Sequence, residues 1–356
     1  MAQRMDIRVD GIIQNYEITR ALASESGIRL TAAIKGLGGY QPLIDCLLEA
    51  GVDSIAEAQL PNLVRLAGRS VEKWLIRLPP LSEVADIVRY ADVSLNSELV
   101  TIQALGEAAV AQGRRHKVVV MVDLGERREG VMPDDVVAFA EAAARVDGVE
   151  LYGLGASFGC FSGMAPSDDS LGVLVHVVDA VENALGVTLP VVSGGSSSAV
   201  KMLLEGRLPT RVNHLRVGET LLRGRVGDYE TPVPGCCLDA FTLSAEILEI
   251  KNKPSRPSGT RVPGEVPIAD DPRFPDEGVR RRALVGVGTQ DTDLHHLFPV
   301  DDGVRVLGGS SDVLVADITE SSCPYKVGDR MTFSLGYHAI LRGMVSDFVE
   351  KNLIRG

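Results

Sequence analysis

The feature that most constrains the fold is a serial alternation along the first two thirds of the chain. Short apolar runs at Leu30 to Ile34, Asp53 to Ala56, Trp74 to Leu78, Asp92 to Leu95, Lys117 to Asp123, Val149 to Gly155, Pro190 to Ser193 and Asn213 to Arg216 are separated by longer amphipathic stretches. Those stretches carry helical spacing, as in Leu43, Leu47 and Leu48, in Val84, Ile87 and Val88, and in Val136, Val137 and Ala140. Runs that are apolar on both faces suit parallel strands covered by helices. Eight strand–helix units in series are what a (β/α)8 barrel requires. At 356 residues the chain also has room for a smaller second domain.

The texture changes after Tyr229. Pro232, Pro234 and Gly235 mark a boundary, and the segments Phe241 to Lys251, Ala283 to Val287, Val304 to Leu307, Val313 to Ile318 and Arg330 to Leu335 alternate like half-buried strands. Lys253 to Pro275 reads as a long exposed loop, Gly328-Asp329 as a turn, and Leu341, Met344, Val345 and Phe348 as one face of a helix that closes the chain. The expected organisation is a barrel over residues 1–230 followed by a mostly β C-terminal domain over 231–356.

Several function classes are disfavoured. A net charge of −12 argues against a nucleic-acid partner, which requires a basic surface. No apolar run reaches the roughly 18 residues of a membrane-crossing helix, and none near the N-terminus looks like a signal peptide. Five cysteines without a C-x-x-C pair suggest neither a disulfide framework nor a zinc site, so a reducing, cytoplasmic setting is expected. The His295-His296 pair reads as a loop feature rather than a metal centre.

In a barrel the chemistry gathers in the loops after the strands. Lys35 ends the first run, between apolar residues and Gly36-Leu-Gly-Gly39. Partial desolvation there would lower its pKa and suit it to a Schiff base, although a lysine snorkelling out of a strand end looks the same. After the seventh run, Val192-Ser-Gly-Gly-Ser-Ser-Ser-Ala199 offers backbone N–H groups and hydroxyls to an anion, with Gly218 beside it. A polar loop with an N-cap serine is the alternative. Arg128 and Arg216 stand at the ends of the fifth and eighth runs, where each could meet an anionic or aromatic ligand, or form an ion pair.

Taken in order, these motifs resemble the fold-type III pyridoxal-phosphate (PLP) enzymes, the alanine racemase-like family, and within it the ornithine racemase branch. The resemblance runs through Ile7-Arg-Val-Asp10, Asn15, Ala33-Ile-Lys35, Val122-Asp-Leu-Gly125 with Arg128 and Gly130, Ser193-Gly-Gly195 and Asn213-His-Leu-Arg-Val-Gly-Glu219. It continues in Gly308-Gly-Ser-Ser-Asp312 and Tyr325-Lys-Val-Gly-Asp329. It implies a PLP-dependent racemase or epimerase acting on a free amino acid, ornithine or another basic one. A decarboxylase or aldolase on the same fold, or a non-catalytic PLP carrier, are the alternatives.

The resemblance also implies roles. Lys35 would carry the cofactor and act as an acid/base on Cα. Arg128 would bond the phenolic oxygen, and Arg216 would face the pyridine nitrogen. Ser196 and Ser197, with Gly195 and Gly218, would hold the phosphate. A homodimer is implied, with Asp312 contributed across the interface and the segment around Asp6 to Asp10 supplying the first strand of the β domain. Two departures stand out. The tyrosine that serves alanine racemases as the opposite base has no counterpart between Lys251 and Arg282, and Tyr40 is displaced by Gly38-Gly39. Cys323, Tyr325, Tyr337, His295 and Asp312 are then the candidates for that base. Ser157 stands where relatives carry a larger polar residue, which would enlarge or dry the pocket. Asp312 or Glu219 could meet a distal ammonium.

Overall fold

A computed structural model describes residues 3–262 and 270–355. By backbone contacts the chain divides into one compact unit over Asp10–Leu238 and another over Met1–Val9 with Asp239–Gly356.

The first unit is a closed barrel of eight parallel strands. Its strands are β2 (Arg29–Ala33), β3 (Ser54–Glu57), β4 (Glu72–Leu75), β5 (Val93–Asn96), β6 (His116–Met121), β7 (Val149–Gly155), β8 (Val191–Ser193) and β9 (His214–Val217), following β1 (Gln3–Arg8) of the other unit. Each falls within about three residues of the apolar run that predicts it. The barrel closes where β2 pairs with β9, in the register Arg29↔His214 through Ala32↔Val217. Its interior holds Ala33, Ala56, Trp74, Val93, Leu95, Val119, Met121 and Val191. A second apolar layer, including Val118, Val120, Leu154, Leu174 and Val178, lies under the surrounding helices. That double burial explains why the runs are apolar on both faces. A short ribbon, β10 (Arg225–Val226) and β11 (Thr231–Pro232), ends this unit.

The second unit is an eight-stranded sheet. It comprises β1 with β12 (Phe241–Pro254), β13 (Val279–Val285), β14 (Leu297–Pro299), β15 (Arg305–Gly309), β16 (Leu314–Asp317), β17 (Arg330–Leu335) and β18 (Glu350–Ile354). Most match the expected strands, but three expectations are corrected. The strand from Phe241 continues to Pro254, because its pairing with β13 extends to Pro254↔Val279. The expected loop from Lys253 is therefore strand at its start, and part of it, 263–269, lies outside the described residues. The chain closes on a strand rather than a helix: β18 pairs parallel with β1. The preceding helix, Tyr337–Val345, buries Ala339, Ile340, Gly343 and Met344, while Val345 and Phe348 are exposed. Gly343 belongs to that buried face because a Cβ there would come within 2.4 Å of Met5 Cε on β1. Among the described residues no helix is long and apolar enough to cross a membrane.

Gly153, in β7, shows how tightly the barrel wall is packed. A Cβ on it would lie 2.0 Å from the Val191 carbonyl oxygen, a backbone atom fixed by the β7–β8 ladder. Gly153→Ala is expected to destabilise the protein by about 1–3 kcal/mol. The check is a lowered urea midpoint with an unchanged slope.

Candidate active site

The loops at the C-terminal ends of the strands bring several of the singled-out residues together. Lys35 follows β2 in a single turn of 3-10 helix, Lys35–Leu37, and is half-buried. Beside it, Gly218 follows β9 and rests against β2 so closely that a Cβ would meet the Ala33 carbonyl oxygen at 2.7 Å. The closure of the barrel thus sets the Gly218 backbone against Ala33, two residues before Lys35.

The loop after β8 is built around Ser197. Its buried hydroxyl accepts N–H bonds from Gly218 at 3.2 Å and Thr220 at 3.1 Å. Two acceptances leave that hydroxyl's own hydrogen to donate elsewhere. Gly195 has φ +126, a conformation that glycine adopts readily, and a Cβ there would press on the Phe158 ring. Ser196 is half-buried, with its hydroxyl 3.5 Å from that of Ser198. The helix after the loop, Val200–Leu204, is only five residues long, so backbone N–H groups and hydroxyls supply this cradle more than a helix dipole does.

Arg216 is buried on β9. It donates through Nη1 to Ser193 Oγ and through Nη2 to the Ala156 carbonyl at 2.8 Å. Burial lowers its pKa to about 10, with the Arg128 charge acting in the same direction and Cys160 and Glu129 opposing. It stays cationic at neutral pH. Arg128 forms an ion pair with Glu129, which raises its pKa, and Glu129 also accepts from Ser157 Oγ at 3.0 Å. Arg128, Glu129, Ser157 and Arg216 therefore form one electrostatic cluster, and the ion pair open to Arg128 in the sequence is made with Glu129. Glu219, a candidate for a distal ammonium, is paired with Arg223 at 2.6 Å.

Glu126 was not anticipated. Its buried carboxylate accepts backbone N–H groups of Gly159, Phe161 and Ser162, tying the loop after β7 to the loop after β6. Its only sequence signal is an acidic residue inside Gly125-Glu-Arg-Arg-Glu-Gly130, which reads as surface charge. Ser193 and His214, quoted in the sequence only as members of their motifs and given no role of their own, are buried within the barrel.

The candidates for a base opposite Lys35 all lie in the β-rich unit. Tyr325 is buried and its hydroxyl is bonded to Asp301; burial and that carboxylate raise its pKa. Cys323 stands two residues before it, half-buried. His295 is exposed, in the turn Leu294–His296. Asp312 is exposed in the turn between β15 and β16, where the Ser310 hydroxyl, at 2.8 Å, holds its carboxyl below the usual range. Tyr337 opens the helix Tyr337–Val345, half-buried, with its ring edge-on to His338.

The family described as alanine racemase, N-terminal domain, matches residues 7–225. The chain belongs to the alanine racemase family. The ornithine racemase of Acetoanaerobium sticklandii is 36% identical over 355 residues, covering 99% of this chain and 100% of that one. The lysine racemase of Thermotoga maritima is 33% identical, covering 98% and 97%. In fold, the racemase resembles the alanine racemase of D-cycloserine-producing Streptomyces lavendulae, with a TM-score of 0.73 at 20% identity over 100% of this chain and 98% of that one.

Burial alone would raise the pKa of Glu126, but its bonds from Phe161, Ser162, Cys160 and Gly159 outweigh that and lower it. A depressed folded-state pKa stabilises the clamp above the ordinary glutamate range, and that stability is lost as pH falls through the folded value. Amide exchange at Gly159, Phe161 and Ser162 is expected to accelerate at acid pH relative to the barrel strands. Glu126→Ala should accelerate it at neutral pH by about tenfold or more, the effect of losing charge-assisted bonds. Exchange rates measured by NMR or mass spectrometry check both.

Proposed function

We propose that this racemase binds pyridoxal 5'-phosphate through Lys35 and interconverts the L- and D-forms of a free basic amino acid, ornithine or lysine. The observation that carries the reading is end-to-end similarity to two racemases named for basic amino acids, in a chain whose Gly218 loop packs on Ala33 just before Lys35. The cradle fits the cofactor's phosphate: Ser197 has a hydrogen to give, Gly195 and Gly218 bring backbone close where a side chain would intrude, and Ser196 adds a hydroxyl.

When bound, the cofactor supplies an electron sink for the bonds at Cα. The protein's part is positioning and proton transfer. Lys35 Nζ would move the Cα proton on one face. Arg216 would donate to the ring nitrogen without protonating it, because a guanidinium keeps its proton, and this keeps the sink weak and favours quick reprotonation. Arg128 would bond the phenolic oxygen, and Ser157 would leave room for a long side chain. Asp312, with its carboxyl held ionised, suits a distal ammonium better than Glu219, which Arg223 already neutralises.

Moving a proton on the other face of Cα needs a second acid/base within about 2.6–3.2 Å. Of the candidates we propose Tyr337, which opens the helix Tyr337–Val345 of the β-rich unit. Because the β-rich unit would supply this group to a neighbour, the active form would be a homodimer. Five cysteines, with no disulfide among the described residues, suit a reducing, cytoplasmic setting.

Incubation of the PLP-loaded enzyme with a panel of L-amino acids, followed by chiral chromatography, should yield D-ornithine or D-lysine well above D-alanine. Borohydride reduction should leave the cofactor attached to Lys35. An adduct on any other lysine, or release of carbon dioxide in place of a D-amino acid, would overturn the reading.

Tyr337→Phe is expected to lose at least about a hundredfold in racemisation, within the range for removing one general acid/base. In deuterated water it should still exchange Cα hydrogen with retention from the Lys35 face. Mixing it with inactive Lys35→Ala should restore activity if sites are shared between chains. No recovery in demonstrated mixed dimers would mean that each site is built within one chain.

A further inference from the structure

Below Arg216 the barrel interior holds a row of polar side chains. Arg216 Nη1 donates to Ser193 Oγ, which lies 2.9 Å from His214 Nδ1. His214 Nε2 lies 2.8 Å from Thr31 Oγ1, and Thr31 Oγ1 lies 2.8 Å from Ser54 Oγ. Ser54 then donates to Glu72 Oε2 at 3.3 Å. Arg216, Ser193, His214, Thr31 and Ser54 are buried, and they come from β9, β8, β2 and β3, so the row crosses the seam that closes the barrel. Trp74, the chain's single tryptophan, stacks on the His214 ring at 4.5 Å and 14°. Its indole N–H donates to the same Glu72 oxygen at 2.8 Å. Arg29 pairs with Glu72 at 2.8 Å and anchors the far end.

The ends of this row fix its direction. A guanidinium only donates and a carboxylate only accepts. Burial, with the charges of Arg216 and Arg29, pushes the His214 pKa far below its usual value, so the imidazole is neutral and has a single N–H. One arrangement places every hydrogen of the row: Ser193 accepts from Arg216 and donates to Nδ1, Nε2–H donates to Thr31, Thr31 donates to Ser54, and Ser54 donates to Glu72. The opposite tautomer would turn two donors, Arg216 and Nδ1–H, onto Ser193 and leave the serine hydrogen without an acceptor in the row.

We propose that His214 is a positioning residue for the racemisation reaction: held as the Nε2–H tautomer between Ser193 and Thr31, it keeps Ser193 as a fixed acceptor for one arm of Arg216 and so aims the guanidinium at the cofactor. The role rests on reading Arg216 as the partner of the ring nitrogen. The direction of the row does not, because it follows from the side chains alone. An arginine with a fixed acceptor on each inner arm has its remaining donors preset. Without Ser193 as acceptor it could rotate, and its contact with the ring would become intermittent.

Two measurements test this, one of them independent of the cofactor. In the unloaded, 15N-histidine-labelled protein, the ring signals lost in His214→Phe identify this residue. They should show a protonated Nε2 and a bare Nδ1 at neutral pH, and a protonated Nδ1 would overturn the directed row. In the loaded enzyme, Ser193→Ala and His214→Phe should lower kcat by about tenfold, corresponding to about 1.4 kcal/mol, with KM nearly unchanged. Transamination per racemisation turnover should rise severalfold. A merely structural role would lower thermal stability and cofactor loading without moving that ratio. Should His214→Phe fail to fold, Glu72→Gln, which keeps shape but can donate as well as accept, should shift the ratio in the same direction. A folded, loaded variant with unchanged kcat and unchanged ratio would sink the proposal. Arg216→Glu separates the two readings: an unchanged ratio there overturns the assignment of Arg216 to the ring nitrogen, and the histidine tautomer still decides the row.

Discussion

Much of this structure depends on one seam. The parallel pairing of β2 with β9 closes the barrel, and the same hydrogen bonds bring the residues after both strands into one neighbourhood. Lys35 and Gly218 are far apart in sequence, yet the Gly218 backbone sits on the Ala33 carbonyl, where even a methyl group would intrude. Ser197 then fastens the next loop to this seam by accepting from Gly218 and Thr220. The arrangement of these loops is therefore a by-product of closure: the ladder that satisfies buried peptide groups also carries the Gly218 and Ser197 backbones to the end of β2.

The electrostatics of the barrel mouth follow from the same economy of space. A buried guanidinium such as Arg216 is tolerated because a serine hydroxyl and a carbonyl take two of its arms, and because Glu129 lies near enough to be felt. Arg128 is closer to solvent and is balanced by Glu129 directly. The two arginines thus differ in environment. One is a dry donor with two arms fixed, and the other is a half-exposed cation paired with a carboxylate.

The barrel was legible because its signal is strong and redundant. Eight runs that bury both faces cannot be mistaken for half-exposed strands, and Lys35 and Arg216 were singled out because they sit where such runs end. The last element was misread for a local reason: Phe348 follows Met344 at helical spacing, but the helix stops at Val345 and the chain turns into β18. Strand β14 is only three residues long, too short to show a period. Glu126 was missed, and His214 was quoted only as part of a motif without a role, because their meaning lies in partners distant in sequence. Glu126 accepts from amides more than thirty residues onward, and His214 is flanked by Ser193 and Thr31, which no local pattern links. Position offers no candidate for a base opposite Lys35 early in the β-rich unit, since no tyrosine lies between Lys251 and Arg282.

The placement of β1 has a consequence for how the protein is made. The barrel unit is one continuous stretch, so its strands can pair as they leave the ribosome. Strand β1 is made before any of them, yet its partners are β12 and β18, the latter ending at Ile354. At about 5–20 residues per second, β1 waits on the order of 20–70 s for its last neighbour. For the last third of that interval the barrel is already made and β12 can cover one edge of β1, but the edge that β18 takes, on a strand carrying the apolar side chains of Met5 and Ile7, is still unpaired, and the nascent chain must keep it from pairing with another copy of itself.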